Sequence, residues 1–590
     1  MVGAKRMTYK KIVLILLILI FMCPGLSAQV VFAPLQDDVY GFLDRLEIKG
    51  LTDNNVSDIK PLSRNEIYHY LRQAQANPKF EKLNEIDKKK LKSYLRLYLP
   101  EKNLFGKVSR LKKIKEEVIN FFSDNKKTSN YNSDSTSTSL KLPLEFYSGN
   151  SYLYINPTFH LKYNYNSSDS SYFNKNYFLI TAGARMFGYL GENIAWGFRA
   201  VNNRVDGNEF DLKRIDNKDQ GVGSLITRDT YYDEIDAYIS LSSKYADLVV
   251  GKFSNYWGNG QSGSITISNR APSYPQIMLK TGFSDWLKFV YFHGWLESNL
   301  LHDSLSYNIH EGDRTFHREF YKNKYIAAHR LEIAPYKNLK ISLSEMLYYG
   351  ESEPKMVYFI PIMFFWSAQH QTNDQDNEEL ALSLEWIPTN YCKLYGSLLV
   401  DDIRLTKIFD KNEALNYIGY QIGSNLIEPF FPGLDFIVEY THINPWVYTH
   451  KFPVNRATSD GYIMGYWSGQ NSDNLFLKTK FQLAADQNIS LSLSHYRKGA
   501  QDSVYKQYEC PPSEKFLYGH QYTRNTMVLQ YKRKLFSDIN ALFGLQYQKI
   551  KVNQQNIAKA EQGYYVNPVY YKNDFDRWSF SFSLSYGFKH

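Results

Sequence analysis

The side chains best able to do chemistry in this 590-residue chain are scattered rather than gathered. His302, His310, His317, His329 and His370 fall in or near two long loops. Imidazoles there can ligate a metal or act as a general base, and equally can serve as surface or lumenal hydrogen bonders. Asp401-Asp402 and Glu378-Glu379 are carboxylate pairs, but neighbours on a strand point to opposite sides, so neither pair need share a site. The chain lacks a G-x-S-x-G elbow, an H-E-x-x-H pair, a P-loop and a C-x-x-C pair. Beyond Cys23, only Cys392 and Cys510 remain, as one disulfide or two thiols. The expectation is a non-enzyme, with no catalytic residue, no metal and no cofactor.

Two segments have the chemistry of binding rather than catalysis. Lys252 to Lys280 (KFSNYWGNGQSGSITISNRAPSYPQIMLK) combines Tyr256 and Trp257 with glycines, prolines, Ser and Asn. Ring faces stack on sugar C–H faces while amides and hydroxyls bond sugar hydroxyls; the same residues suit a structural plug. Irregular backbone at membrane depth survives only inside protein or beside water, so the segment is expected to fold into a lumen and narrow it. Met356 to Gln371 (MVYFIPIMFFWSAQHQ) is strongly apolar. Left exposed it would be an unusually large patch, so it is expected to pack inside a barrel mouth.

The elements that position these segments follow from a change of period. From about residue 150 apolar residues recur every second position, most clearly at Trp578, Phe580, Phe582, Leu584, Tyr586 and Phe588, alternating with Ser579, Ser581, Ser583, Ser585 and Gly587. A mean hydropathy of −0.45 does not exclude a membrane, because a spanning strand shows only alternate residues to lipid. Strands are predicted to begin near 152, 177, 194, 232, 246, 274, 286, 326, 339, 377, 390, 417, 434, 474, 488, 521, 539 and 576. Every second connection is tight and most of the others are long. That sorting marks an outer-membrane barrel, with short turns in the periplasm and long loops outside. The 49 Tyr, 37 Phe and 9 Trp suit an interfacial girdle, though they also suit ordinary strands.

The fold class is therefore an all-β transmembrane barrel of about 18 antiparallel strands with a small N-terminal α-helical module. Residues 1–28 read as a cleaved secretory signal: Lys5, Arg6, Lys10 and Lys11, then apolar Ile12 to Met22, then Gly25, Ser27 and Ala28. Residues 29–123 read as a periplasmic helical module, with a capping box at Ser63 and Glu66, a third helix from Glu85 to Leu99 and a fourth from Lys107 to Phe122. Residues 124–150 read as a linker and 151–590 as the barrel. Of the formal charge of +9, the signal carries +4 and residues 29–127 carry +6, leaving −1 for the rest. No basic stripe supports nucleic-acid binding.

At PLQDDVYGFLDRLEIKGL (34–51), KPLSRNEIYHYL (60–71), YWGNGQSGSITISNRAPSYPQIMLK (256–280), HRLEIAPYKNLKISLSEMLYYG (329–350) and LYGSLLVDDI (394–403) the chain resembles the Wzi-type capsule assembly family of outer-membrane proteins. The resemblance implies an eighteen-stranded barrel with a helical bundle, acting as a lectin that binds capsular or extracellular polysaccharide and supports capsule assembly. The W-G…S-N-x-A-P run places Trp257, Gly258, Ser268, Asn269 and Pro272 at family positions. With Tyr256 and Arg270 they are the candidate polysaccharide-binding or lumen-shaping residues. Expected partners are the polysaccharide and outer-membrane lipid, with the capsule export machinery as a further candidate. The alternative function is a porin or sugar channel, since a barrel this wide can hold an aqueous pore.

Overall fold

The computed structural model describes residues 30–52, 56–99, 143–148, 151–167, 176–191, 193–207, 231–243, 245–372, 376–403, 416–500, 514–536, 539–553 and 573–587. The expected signal, the fourth helix candidate, most of the 124–150 stretch and Cys510 lie outside the described residues.

Eighteen strands close into one antiparallel barrel. They are β1 (Ser151–Asn166), β2 (Asn176–Leu190), β3 (Ile194–Asp206), β4 (Tyr231–Ser242), β5 (Ala246–Phe253) and β6 (Tyr274–Ser284). Next come β7 (Leu287–Leu301), β8 (Tyr321–Tyr336), β9 (Leu339–Gly350), β10 (Asn377–Thr389), β11 (Cys392–Ile403) and β12 (Asn416–Ile427). The circuit ends with β13 (Leu434–Ile443), β14 (Ser472–Ala484), β15 (Gln487–Lys498), β16 (Tyr522–Phe536), β17 (Ile539–Val552) and β18 (Phe575–Tyr586). Ser583 of β18 pairs with Lys162 of β1 and shuts the ring. All but one of the strand starts fall within two residues of those expected. The exception is β8, expected at 326 and found at Tyr321. Its first residues, Tyr321 to Lys324, are mostly polar and extend past the apolar alternation, so periodicity does not reveal them.

Closure explains the alternation. A closed sheet has no unpaired edge, which is what lets strands cross a membrane. On β18, Trp578 and Phe580 are exposed on the outer wall while Ser579, Ser583 and Ser585 are buried on the lumenal side. The carboxylate pair of β10 is split in the same way: Glu379 is fully buried toward the lumen, and Glu378 belongs to the outward row that continues through the exposed Leu380, Leu382 and Leu384.

Within the stretch expected to be a linker, Leu144–Ser148 forms a strand that pairs antiparallel with the start of β1, from Leu144↔Ile155 to Ser148↔Ser151. β18 pairs with β1 only from Phe159 onward, so this short strand meets a ladder position that β18 leaves unused. The compositional argument for a linker does not extend to these residues.

Three helices close the tight-turn end. They are α1 (Val39–Ile48), α2 (Arg64–Ala76) and α3 (Glu85–Leu97). The capping box forms as expected, Ser63 accepting from the Glu66 amide and Glu66 accepting from the Ser63 amide. Phe42, Leu43, Leu46, Ile67, Leu71 and Leu91 make their shared core. The helices are pinned to the barrel rim by ion pairs. Arg45 meets Asp87 at 3.0 Å and also Glu428 and Asp435 at the β12–β13 turn, and Lys49 meets Asp87 at 3.0 Å and Glu428 at 2.8 Å. Burial would raise the Asp87 carboxyl, but Arg45 and Lys49 outweigh it and hold Asp87 below its usual range. Glu47 goes the other way: burial, with Glu385 close by, pushes it up to about 8.

Candidate functional site

The lumen is where the distinctive residues meet. Residues 254–273 leave β5 and cross it. Tyr256 and Trp257 pair antiparallel with Lys60 and Ile59 of the N-terminal segment, and the Trp257 amide donates to Ile267 O at 2.9 Å. Gly258 follows with φ +120°, a region that side chains avoid, and its amide donates to Asp58 O at 3.1 Å. The tip then reaches the far wall. The amides of Gln261 and Ser262 donate to the Glu439 carboxylate of β13 at 2.7 and 3.0 Å, and Gln421 of β12 donates to Gly263 O at 2.9 Å.

Two further inserts lock this crossing. Residues 444–471, between β13 and β14, turn inward: the Tyr448 hydroxyl donates to Ile265 O at 2.6 Å, and the Ser268 amide donates to Met464 O at 2.7 Å. The N-terminal segment enters from the tight-turn end. Arg330 of β8 donates to Asp58 at 2.7 Å, Ser57 donates to Glu332 at 2.7 Å, and Tyr238 of β4 accepts from the Phe32 amide at 2.7 Å. Burial would raise Asp58, yet Arg330 outweighs it and holds the carboxyl well below the usual range. Where the inserts meet the wall the core is apolar. Trp257 stands edge-on to Phe292 at 5.3 Å, among Ile59, Ile265, Ile267 and Met464.

A cavity of about 790 Å³ remains beside the β1–β4 wall. That is within the range of small-molecule sites. Its tight-turn end is lined by Phe32 to Gln36 and Pro61, its long-loop end by Asn299, Tyr321 and Asp460. Arg199 on its wall pairs with Glu234 at 2.5 Å and Asp236 at 3.4 Å. Thr181 donates to Asn203 Oδ1 at 2.6 Å, and Asn203 donates to Glu234 at 3.1 Å. Tyr232, Tyr238 and Tyr274 add ring surface. Polar groups alternating with ring edges form a surface able to bond hydroxyls and stack on pyranose faces.

The expected site residues take different places. Trp257 is fully buried in the plug. Tyr256 donates to Gly260 O and carries Lys60 Nζ 5.4 Å from its ring centre. Ser268 is buried and donates to Gly465 O at 2.5 Å. Asn269 and Arg270 are half-buried, with the Arg270 guanidinium 5.6 Å from the Tyr462 ring centre. Of the seven, Pro272 alone lines the cavity. The residues that shape the cavity wall, Thr181, Arg185, Arg199, Asn203, Glu234 and Asp236, were not singled out from the sequence. Their signal was present: charged and amide residues at alternate, inward positions of three strands.

One expectation is overturned. The apolar segment at 356–371 does not pack inside the mouth. Tyr291 on the outer wall of β7 donates to Tyr358 O at 2.7 Å, and the Trp366 amide donates to Glu345 on the outer wall of β9 at 2.9 Å. The segment lies on the outside because outward-facing Tyr291, Tyr325, Leu347 and Tyr349 offer it an apolar bed. The histidines are likewise dispersed, and among the described residues no three His, Cys, Asp or Glu side chains are placed to hold one metal ion.

A family model described as capsule assembly protein Wzi matches residues 150–562. Among curated proteins no relative matches the chain. The solved structure of Wzi from Escherichia coli, described as a carbohydrate-binding β-barrel involved in group 1 capsule assembly, is 12% identical, with a TM-score of 0.54 over 95% of this chain and 100% of that one. The outer-membrane protein OprD of Pseudomonas aeruginosa is 10% identical, with a TM-score of 0.38 over 74% of this chain and 93% of that one. OccAB1 of Acinetobacter baumannii is 8% identical, with a TM-score of 0.42 over 73% of this chain and 96% of that one. The last two are too distant to bear on what this chain does. The family match spans most of the chain and agrees with the closed eighteen-stranded barrel, and the chain belongs to the Wzi capsule assembly family of outer-membrane β-barrel proteins.

Proposed function

We propose that this protein holds capsular or extracellular polysaccharide at the cell surface, as a lectin and not as an enzyme. The observation that carries the reading is the cavity along β1–β4. It places Arg199, Asn203, Glu234 and Asp236 opposite aromatic edges, beside a lumen crossed by its own inserts. Such a lumen suits retention of a chain better than its free passage. The name given to the E. coli structure supports carbohydrate as the ligand class. Within this reading the candidates divide by role. Tyr256, Trp257, Gly258 and Ser268 shape the lumen, and Pro272 with the β2–β4 wall faces the sugar.

The test is surface polysaccharide in a deletion strain complemented with wild type or with the Arg199→Ala/Asn203→Ala double variant. Retention is expected to return with wild type and to stay low with the double variant at equal outer-membrane levels. Full retention by the double variant would remove the cavity from the function. Single-channel recording separates the porin alternative: a steady large conductance from wild type would replace retention with transport.

A further inference from the structure

The outer wall over β7–β9 differs from the rest of the barrel. His293, His329 and Glu345 point outward, each six or seven residues in from the tight-turn end of its strand. At that same depth the outward residues of β10, β11, β15 and β17 are Leu382, Leu398, Leu493 and Leu545, all exposed as lipid-facing residues are. Polar and ionisable groups set among hydrocarbon are unfavourable unless paired or covered. Here they are both. His329 Nε2 meets Glu345 at 2.9 Å. Phe359 stacks on the His293 ring at 4.1 Å, and Phe365 lies 4.8 Å from the His329 ring.

The cover is the connection from β9 to β10. It leaves the long-loop rim through exposed Glu351, Ser352 and Glu353, runs down the wall as Met356–Phe359, and turns back in a short helix, Phe365–Thr372. The helix is held at its start by Glu345, which accepts from the Trp366 amide at 2.9 Å, and near its end by Gln369, which donates to Glu378 at 2.8 Å. Phe359 and Phe365 face the wall. Ile360, Ile362, Phe364 and Trp366 face away from it, and Ile362 is 83% exposed. The strap is therefore polar at the rim and apolar at its turn, and its outer face continues the exposed leucines of the neighbouring strand β10.

We propose that this strap is the membrane-facing wall of the barrel over β7–β9, with Ile360, Ile362, Phe364 and Trp366 seated among the acyl chains of the surrounding bilayer. The strap restores an apolar band that the strands themselves interrupt at His293, His329 and Glu345. An element that rests on the wall, rather than forming part of the sheet, gives the barrel a side that lipid composition can influence.

The test uses the full mature chain with Cys392→Ser and Cys510→Ser, reconstituted in phospholipid vesicles. Ile362→Cys is labelled with a polarity-sensitive fluorophore. Ile309→Cys, on the exposed Tyr307–Glu311 strand of the β7–β8 connection, is the aqueous control. Doxyl-labelled phospholipid is expected to quench the label at 362 several-fold more than at 309, and aqueous iodide to do the reverse. Equal iodide quenching at both positions overturns the proposal. So does protection of position 362 from both quenchers together with cross-linking between two 362 cysteines, which would put a second copy of the chain on the strap. As an independent reading, Phe364→Asp is expected to lower the folded fraction recovered in vesicles several-fold more than Phe316→Asp; equal recovery counts against lipid contact.

Discussion

The two halves of the lumen are built on opposite terms. Along β7–β13 the inward residues include Phe292, Ile326, Ala328, Met346, Tyr348, Leu399 and Ile443, all buried against the inserts. Along β15 and β18 seven inward positions are serines, Ser490, Ser492, Ser494, Ser579, Ser581, Ser583 and Ser585, and Tyr496 and Lys498 meet the 444–471 insert at the long-loop end of β15. Both are lumenal faces of one barrel, so position in the sheet does not set their chemistry. What sets it is the neighbour. A wall that carries inserts sets apolar side chains among polar ones that bond the inserts, such as Arg330, Glu332, Gln421 and Glu439, whereas the β15 and β18 wall is mostly small hydroxyls.

That contrast can be broken at its densest point. Trp257→Ala removes a fully buried ring from the plug and is expected to destabilise the plugged state by about 3–5 kcal/mol. The readouts are a raised single-channel conductance and new proteolytic cleavage near 254–273. Ser581→Ala, on the serine wall, is expected to change stability by less than about 0.5 kcal/mol. Equal effects from the two would erase the distinction between the halves.

The ion pair under the plug ranks next. Arg330→Met leaves Asp58 buried beside Glu332 without its guanidinium partner and is expected to cost about 3 kcal/mol or more. Faster proteolysis of the 56–60 segment would show it. Arg330→Met with Asp58→Asn should recover much of the loss, because the uncompensated charge is then gone.

The helical cap should respond to pH from both sides. Asp58 and Asp87 have lowered folded-state values, so their contribution is present above the unfolded carboxylate range near pH 4 and is lost as pH falls through the folded values. Glu47 is raised to about 8, so its contribution is full below its unfolded value near pH 4 and is lost as pH rises toward 8. Protection of α1–α3 from protease is therefore expected to peak at about pH 4–5 and to decline gently above it. Glu47→Gln should flatten the alkaline side only. A wild-type profile that keeps rising to pH 8 would refute this assignment.

The cavity wall should also show only a small stability effect. Arg199 is partly exposed and paired with two carboxylates, so Arg199→Ala is expected to cost under about 1 kcal/mol while lowering polysaccharide retention. A variant that loses stability and keeps retention would reverse the reading of the two halves.

Much of this architecture was legible in the residues. Strand starts, tight turns and the capping box at Ser63 and Glu66 depend on neighbours within a few positions, and local period and turn chemistry report them. The strand at Leu144–Ser148 was missed because five residues carry too little pattern. The site was legible in part. Tyr256 and Trp257 signalled a lumenal crossing but not their burial. Arg199, Asn203 and Glu234 carried the correct inward parity but gained meaning only when three strands lay side by side.

The sequence by itself determined which residues face out and which face in, because side chains on a strand alternate whatever the rest of the chain does. It also determined which connections are tight and which are long. Only the tertiary structure decided where the long connections go. Residues 254–273 turn inward because Glu439 and Gln421 on the far wall bond their backbone. Residues 356–366, no less apolar, turn outward because Tyr291, His329 and Glu345 wait there to be covered. Each destination depends on a surface assembled from strands far apart in the chain, and no local pattern encodes it.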